Sequence, residues 1–174
     1  ECAQLCELAD LVGEQVLQHQ HPRAADTKIF RKATMNDINA IVDIAVESVS
    51  QDPIPVKVDR EAMADTARTC LNPAHFIWVA EQDGKVVASV AACVQPSFWF
   101  DKLQCSVLLY YSRVPGAGAA LLRELARWVK SRSAIKVAVL ELEPGADPRL
   151  VRFLKRVGFD RESLNLSYIR KVPA

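Results

Sequence analysis

At 174 residues, half apolar and a quarter charged, the chain has room for one domain with a sizeable core, not comfortably for two. Twenty-two Lys and Arg against 21 Asp and Glu leave a formal charge of +1, so a global polyanion binder is excluded and any basic site is local. No apolar run approaches the roughly 18 residues of a membrane span, and the opening "ECAQLCELAD" lacks the basic region and long apolar stretch of a secretory signal.

Taken in chain order, residues 2–18 place Leu5, Leu8, Leu11, Val12 and Val16 on one helical face, and "HQHPRAADTK" follows as a polar linker broken by Pro22. Residues 1–27 are therefore expected to be a helical extension, and 28–174 the main domain. The apolar stripe needs a cover, through self-association or docking on a partner. With no initiator Met, the start reads as trimmed or as lying inside a longer chain. "KIFRKAT" is a short strand. Thr34 then precedes a helix in "MNDINAIVDIAVESV", with Asp37 as capping-box partner and Ile38, Ile41, Val42, Ala45 and Val49 facing inward. After the break "DPIP", "KVDREAMADTARTCL" is a more polar helix ended by Asn72-Pro73.

"HFIWVAEQDGKVVASVAACV" predicts a hairpin turning at Asp83-Gly84, and "KLQCSVLLYY" a further buried strand. "SRVPGAGAALLRELARWVK" supplies a glycine turn and a long helix with Leu121, Leu122, Leu125, Trp128 and Val129 inward. "IKVAVLELE" alternates as a strand. "ADPRLVRFLKRV" is a helix stopped by Gly158, and "FDRESLNLSYIRK" closes the chain as a strand or hairpin. The order β-α-α-β-β-β-α-β-α-β points to an α/β (α+β) fold, a mixed sheet with helices on both faces.

The cysteines Cys2, Cys6, Cys70, Cys93 and Cys105 form no disulfide framework, and His19, His21 and His75 offer no zinc-finger spacing with them. No metal site is expected, and reduced thiols in a cytoplasmic protein are the favoured reading.

The segment most suggestive of function joins "LLYY" to the long helix. A glycine turn at a helix start offers free backbone N–H groups and the positive end of the helix dipole. Gly116 and Gly118 let a phosphate approach the main chain, and Arg113 adds charge at the mouth. Arg123, Arg127, Lys130, Arg132 and Lys136 follow as a local basic patch. Two readings stay open here: a phosphate cradle, or a tight turn beside a solvated charged face. Nucleic acid is disfavoured, because no stacking aromatics interleave the cations.

No Gly-Lys-Ser/Thr is present for a Walker A loop, and Leu121 stands where a Rossmann fingerprint has its third glycine. "RVPGAG" (113–118) has the form R-x-x-G-x-G/A after an apolar strand, and "FLKRVGF" (153–159) ends a helix in Gly-Phe. From about Lys28 onward the chain resembles the GNAT superfamily of N-acetyltransferases, and the run 97–130 resembles the members encoded by tailed bacteriophages. That placement would put the protein in a host cytoplasm or a virion.

The resemblance implies a mixed, mostly antiparallel central sheet flanked by helices, and acetyl-CoA as co-substrate. It implies that the strand before the loop splays from its neighbour, so that Leu109, Tyr110 and Tyr111 hydrogen-bond the pantetheine arm. The pyrophosphate would rest on N–H groups of Val114, Gly116, Ala117, Gly118 and Ala119, beside Arg113. A strand N–H would polarise the thioester, and an acceptor amine of a small molecule or protein would attack it directly. Cys93 and Cys105 then need not be nucleophiles and are expected to pack as small hydrophobes.

Three positions depart from the family pattern. Pro115 has no N–H to give. Leu154 stands where the family commonly has a tyrosine that protonates the leaving thiolate, and Asp147 where it has an Asn. Tyr110, Tyr111, Ser112 and Tyr168 are the substitute proton donors. For the general base, Glu141 is preferred over Glu143 and Asp101. "SFWF" (97–100) either lines an acceptor pocket or caps the core. These departures sustain a second reading: a catalytically weak or inactive GNAT-shaped binding or structural module, such as a component of a phage particle.

Overall fold

The computed structural model describes residues 27–51, 57–142 and 145–168. The N-terminal extension, with Cys2, Cys6, His19 and His21, lies outside these residues, as do "DPIP" and Glu143. Five strands make one sheet in sequence order: β1 (Ile29–Lys32), β2 (Phe76–Gln82), β3 (Lys85–Pro96), β4 (Leu103–Ser112) and β5 (Ile135–Val139). The first three pairings are antiparallel, and β4 with β5 is parallel. The turn between β2 and β3 uses Asp83 (φ 52°) and Gly84 (φ 71°), the left-handed pair that a two-residue hairpin requires.

Residues 76–80 are almost continuously apolar because both faces of the sheet are covered. Phe76, Ala80, Val90, Ala92 and Cys105 pack under α3 (Ala117–Lys130) and α4 (Pro148–Val157), against Leu121, Leu122, Leu125 and Leu154. On the opposite face, Ile77, Val79 and Ala91 pack under α1 (Ile38–Val49) and α2 (Arg60–Cys70), against Ile41, Val42, Ala64, Ala67 and Cys70.

The start of α1 is a 3-10 turn at Met35–Asp37. The Asp37 carboxylate accepts from the Thr34 N–H (2.7 Å) and hydroxyl (2.9 Å), as the capping-box spacing predicts. It also receives both Nη groups of Arg31 (2.8 and 2.9 Å), while Arg31 reaches Glu81 at 2.7 Å. The hydrogen bonds from Arg31 hold the Asp37 carboxyl at about 2, below the usual carboxylate range. Its stabilising charge is present above the ordinary carboxylate range and is lost only as pH falls through about 2. The inward stripe of α1 is turned slightly from the sequence expectation. Ile44 is fully buried and Val49 is 43% exposed, because the helix ends just beyond the sheet.

Two further expectations are corrected. The strand at "IKVAVLELE" stops at Val139, and Leu140 to Leu142 leave the sheet. Residues 159–168 form no strand. Leu164, Leu166 and Tyr168 alternate as a strand would, yet are 84 to 87% exposed, since alternation specifies a strand only where a sheet edge takes it up. No described helix is long and apolar enough to cross a membrane.

Candidate active site

The two ends of β4 have different surroundings. From Leu103 to Ser106 it is paired on both sides, with β3 and with β5. From Val107 to Ser112 it is paired with β3 alone, and among the described residues nothing pairs with its other edge. The register against β3 slips where the paired half ends. Ala92 faces Val107 and Ala91 faces Leu109, so Leu108 is an extra, half-exposed residue. Such a bulge bends its strand. The pairing with β5 ends within β4, before the residues that the resemblance implied would contact the co-substrate, and the sequence carried no signal for the bulge at that point.

The turn after β4 is built tightly. Arg113 N–H donates to Val87 O (2.9 Å) and adds one rung to the β3–β4 ladder. The Ser112 hydroxyl donates to Val114 O at 2.6 Å and closes the corner. Gly116 then takes φ 79°, a left-handed conformation strained for any residue with a Cβ, with nothing within 4 Å of where that Cβ would be. The helix begins on the next residue. Ala120 N–H bonds to Gly116 O, whereas the N–H groups of Gly116, Ala117, Gly118 and Ala119 have no acceptor among the described residues. These are the orphan donors of a helix start, at the positive end of its dipole. Val114 N–H faces Ser112 Oγ at 3.4 Å, so that donor is already weakly engaged.

Gly118 has a second task, which the phosphate reading did not include. A methyl there would lie 2.9 Å from Tyr110 Cε2, 3.0 Å from its hydroxyl and 3.3 Å from Ser112 Cβ. The missing side chain lets the helix start sit directly on the open half of β4, so amides and open edge share one place. Tyr110 is partly buried, and that burial raises the pKa of its hydroxyl above the ordinary value. Leu109 packs on the opposite face with the α1 and α2 side chains, so β4 alternation sends Tyr111 to that face too.

The remaining predicted residues are dispersed. The Arg113 guanidinium grips Glu47 of α1 through Nε (2.9 Å) and Nη2 (2.5 Å), and donates to Val86 O at 3.1 Å. Glu141 is exposed just past β5 and accepts from Asn165 Nδ2 at 2.9 Å. Tyr168 is 87% exposed on the C-terminal segment. Leu154 is 4% exposed in the core, and Asp147 is the N-cap of α4, accepting from Arg149 N–H at 2.8 Å. "SFWF" does not cap the core: Phe98, Trp99 and Phe100 are exposed at the β3–β4 tip.

The basic patch is likewise mostly committed to the fold. Arg132 lies 4.2 Å from the centre of the Trp128 ring, Arg123 lies 5.5 Å from that of Phe153, and Arg127 pairs with Glu124. Cys105 is core, and Cys93 lies 3.9 Å from Cys70, whose thiol burial pushes up to about 12. Burial likewise raises the Cys105 thiol, so Cys70 and Cys105 are poor nucleophiles. No grouping of three His, Cys, Asp or Glu among the described residues could hold a metal.

The profile of the acetyltransferase (GNAT) family matches residues 43–159, more than half of the chain, from within α1 to the Gly-Phe after α4. The chain belongs to the GNAT family. A search of curated protein sequences finds no match. Among solved structures, a predicted acetyltransferase from Clostridium acetobutylicum, crystallised with acetyl-CoA, is 20% identical at a TM-score of 0.62, over 82% of this chain and 96% of that one. Glucosamine-6-phosphate N-acetyltransferase from Arabidopsis thaliana is 17% identical at 0.60, over 83% and 99%. Ribosomal-protein-alanine N-acetyltransferase from Brucella melitensis is 17% identical at 0.57, over 84% and 99%. At these identities the likeness is one of fold. The resemblance to phage-encoded members finds no support in these matches.

Proposed function

We propose that this GNAT protein transfers an acetyl group from acetyl-CoA directly to a primary amine of a small molecule or protein. The observation that carries this reading is the half of β4 whose outer edge is open, beside four helix-start amides without acceptors, among the described residues. A strand edge offers donors and acceptors to an extended amide-bearing arm, and the amides offer N–H to a pyrophosphate at the end of that arm. The residues fit the co-substrate. Gly116 leaves the approach open, and the donors of Gly116, Ala117, Gly118 and Ala119 remain after Pro115 and Val114 are discounted.

In this reading, the acceptor nitrogen attacks the thioester carbon, a β4 N–H near the Leu108 bulge stabilises the developing oxyanion, and the thiolate leaves with a proton. Leu154 cannot supply that proton. Tyr110, kept protonated by burial, is the hydroxyl built into the opening, and Tyr111 and Tyr168 stand outside it. Glu141, exposed just past β5, is the carboxylate we assign to accept the amine proton, a role that requires it to release Asn165. The solved relatives carry names with both sugar and protein acceptors, so the fold alone does not choose between them.

The buried Leu154 favours a second reading, a GNAT-shaped binder without turnover. Thiol release from acetyl-CoA over a panel of primary amines separates the two. Release that depends on amine and saturates is expected, whereas binding with no release above the uncatalysed rate would establish the binder.

A further inference from the structure

Resting on that reading, we infer that Arg113 and Glu47 act as a clasp that positions the phosphate loop, and that the Arg113 guanidinium is not itself a ligand of coenzyme A. The guanidinium is consumed by contacts inside the protein: two bonds to Glu47 and one to Val86 O. Both partners are half-exposed, at 34% and 43% of their side chains, so nothing about burial forces the pair to exist. Its value lies in what it connects. Glu47 belongs to α1, on one face of the sheet, and the helix carrying the free amides packs on the other face.

Arg113 stands between them as the last rung of β4, its own N–H fixed to Val87 O. Three residues later the chain makes its left-handed turn at Gly116, and the acceptor-free amides begin. A two-point carboxylate–guanidinium contact fixes orientation as well as distance, which a single contact does not. The clasp therefore sets the direction in which residues 114–116 leave the sheet, and with it the aim of the amides. Neither Lys at 113 nor Gln at 47 reproduces that geometry. Because α1 lies on the face opposite the loop, the clasp also ties the two helix layers together at this end of β4.

The test is the affinity of the whole protein for coenzyme A and for 3′-dephospho-coenzyme A, by isothermal titration, with circular dichroism confirming the fold of each variant. Arg113→Ala and Glu47→Ala are each expected to weaken both ligands equally, by about fivefold or more. The charge-exchanged variant, Glu47→Arg with Arg113→Glu, is expected to recover most of that loss, since it restores the pair while removing the cation from position 113. Glu47→Ala that binds as well as wild type, or tighter, while Arg113→Ala binds worse would make Arg113 a direct ligand and overturn the clasp. A loss confined to coenzyme A would assign Arg113 to the 3′-phosphate, with the same consequence. Failure of the charge exchange to recover any binding also counts against the clasp. Wild-type protein that binds neither ligand would instead overturn the acyltransferase reading, and the clasp with it.

Discussion

The two halves of β4 belong to one strand and have different surroundings. Leu103–Ser106 is closed in by strands on both sides, with Cys105 fully buried under α3. Val107–Ser112 keeps its β3 partner, loses β5, and faces the start of that same helix across Gly118. Pairing with β3 is common to both. What separates them is a single extra residue, Leu108, together with the early end of β5 at Val139. The slip against β3 and the end of β5 fall at the same place, and beyond it one edge of β4 has no partner among the described residues.

The largest expected effect lies in the core beneath α3. Phe76 is fully buried, stacks with Trp78 and meets the edge of the Trp128 ring. Phe76→Ala is expected to cost about 3–5 kcal/mol, read as a fall in thermal midpoint, and to leave the coenzyme A affinity of the folded fraction within about twofold. A large change in affinity without that loss of stability would break the division between the packed core and the open edge of β4. The reverse pattern is expected at Gly118. There Gly118→Ala should lower stability by only about 1 kcal/mol, because Tyr110 can yield by part of an ångström. Moving the helix start spoils hydrogen bonds to a charged group, so coenzyme A affinity is expected to fall on the order of tenfold or more. Titration of the variant checks this, and unchanged affinity would mean that Gly118 serves packing alone.

The contrast was only half legible in the sequence. Element order, the hairpin at Asp83-Gly84, the Thr34–Asp37 cap and the inward Leu121, Leu122 and Leu125 follow from periodicity and turn chemistry, which are local. The glycine loop was legible too, because a left-handed turn before a helix needs glycine at 116. The Glu47–Arg113 pair was not, since it joins residues far apart in sequence and either side chain alone reads as a solvated charge. The bulge escaped for a related reason: "LQCSVLLYY" alternates no differently at Leu108, and the slip exists only against β3. The closing strand was overread because Leu164, Leu166 and Tyr168 have the period of a strand without a sheet edge that takes them up.

Hydrogen exchange of the individual backbone amides, measured with and without saturating coenzyme A, tests the central claim most directly. Protection is expected at Gly116, Ala117, Gly118 and Ala119 and along Val107–Ser112, with Leu103–Ser106 unchanged because it is already paired on both edges. Bound coenzyme A that leaves the amides of 116–119 exchanging as fast as in the free protein would contradict it.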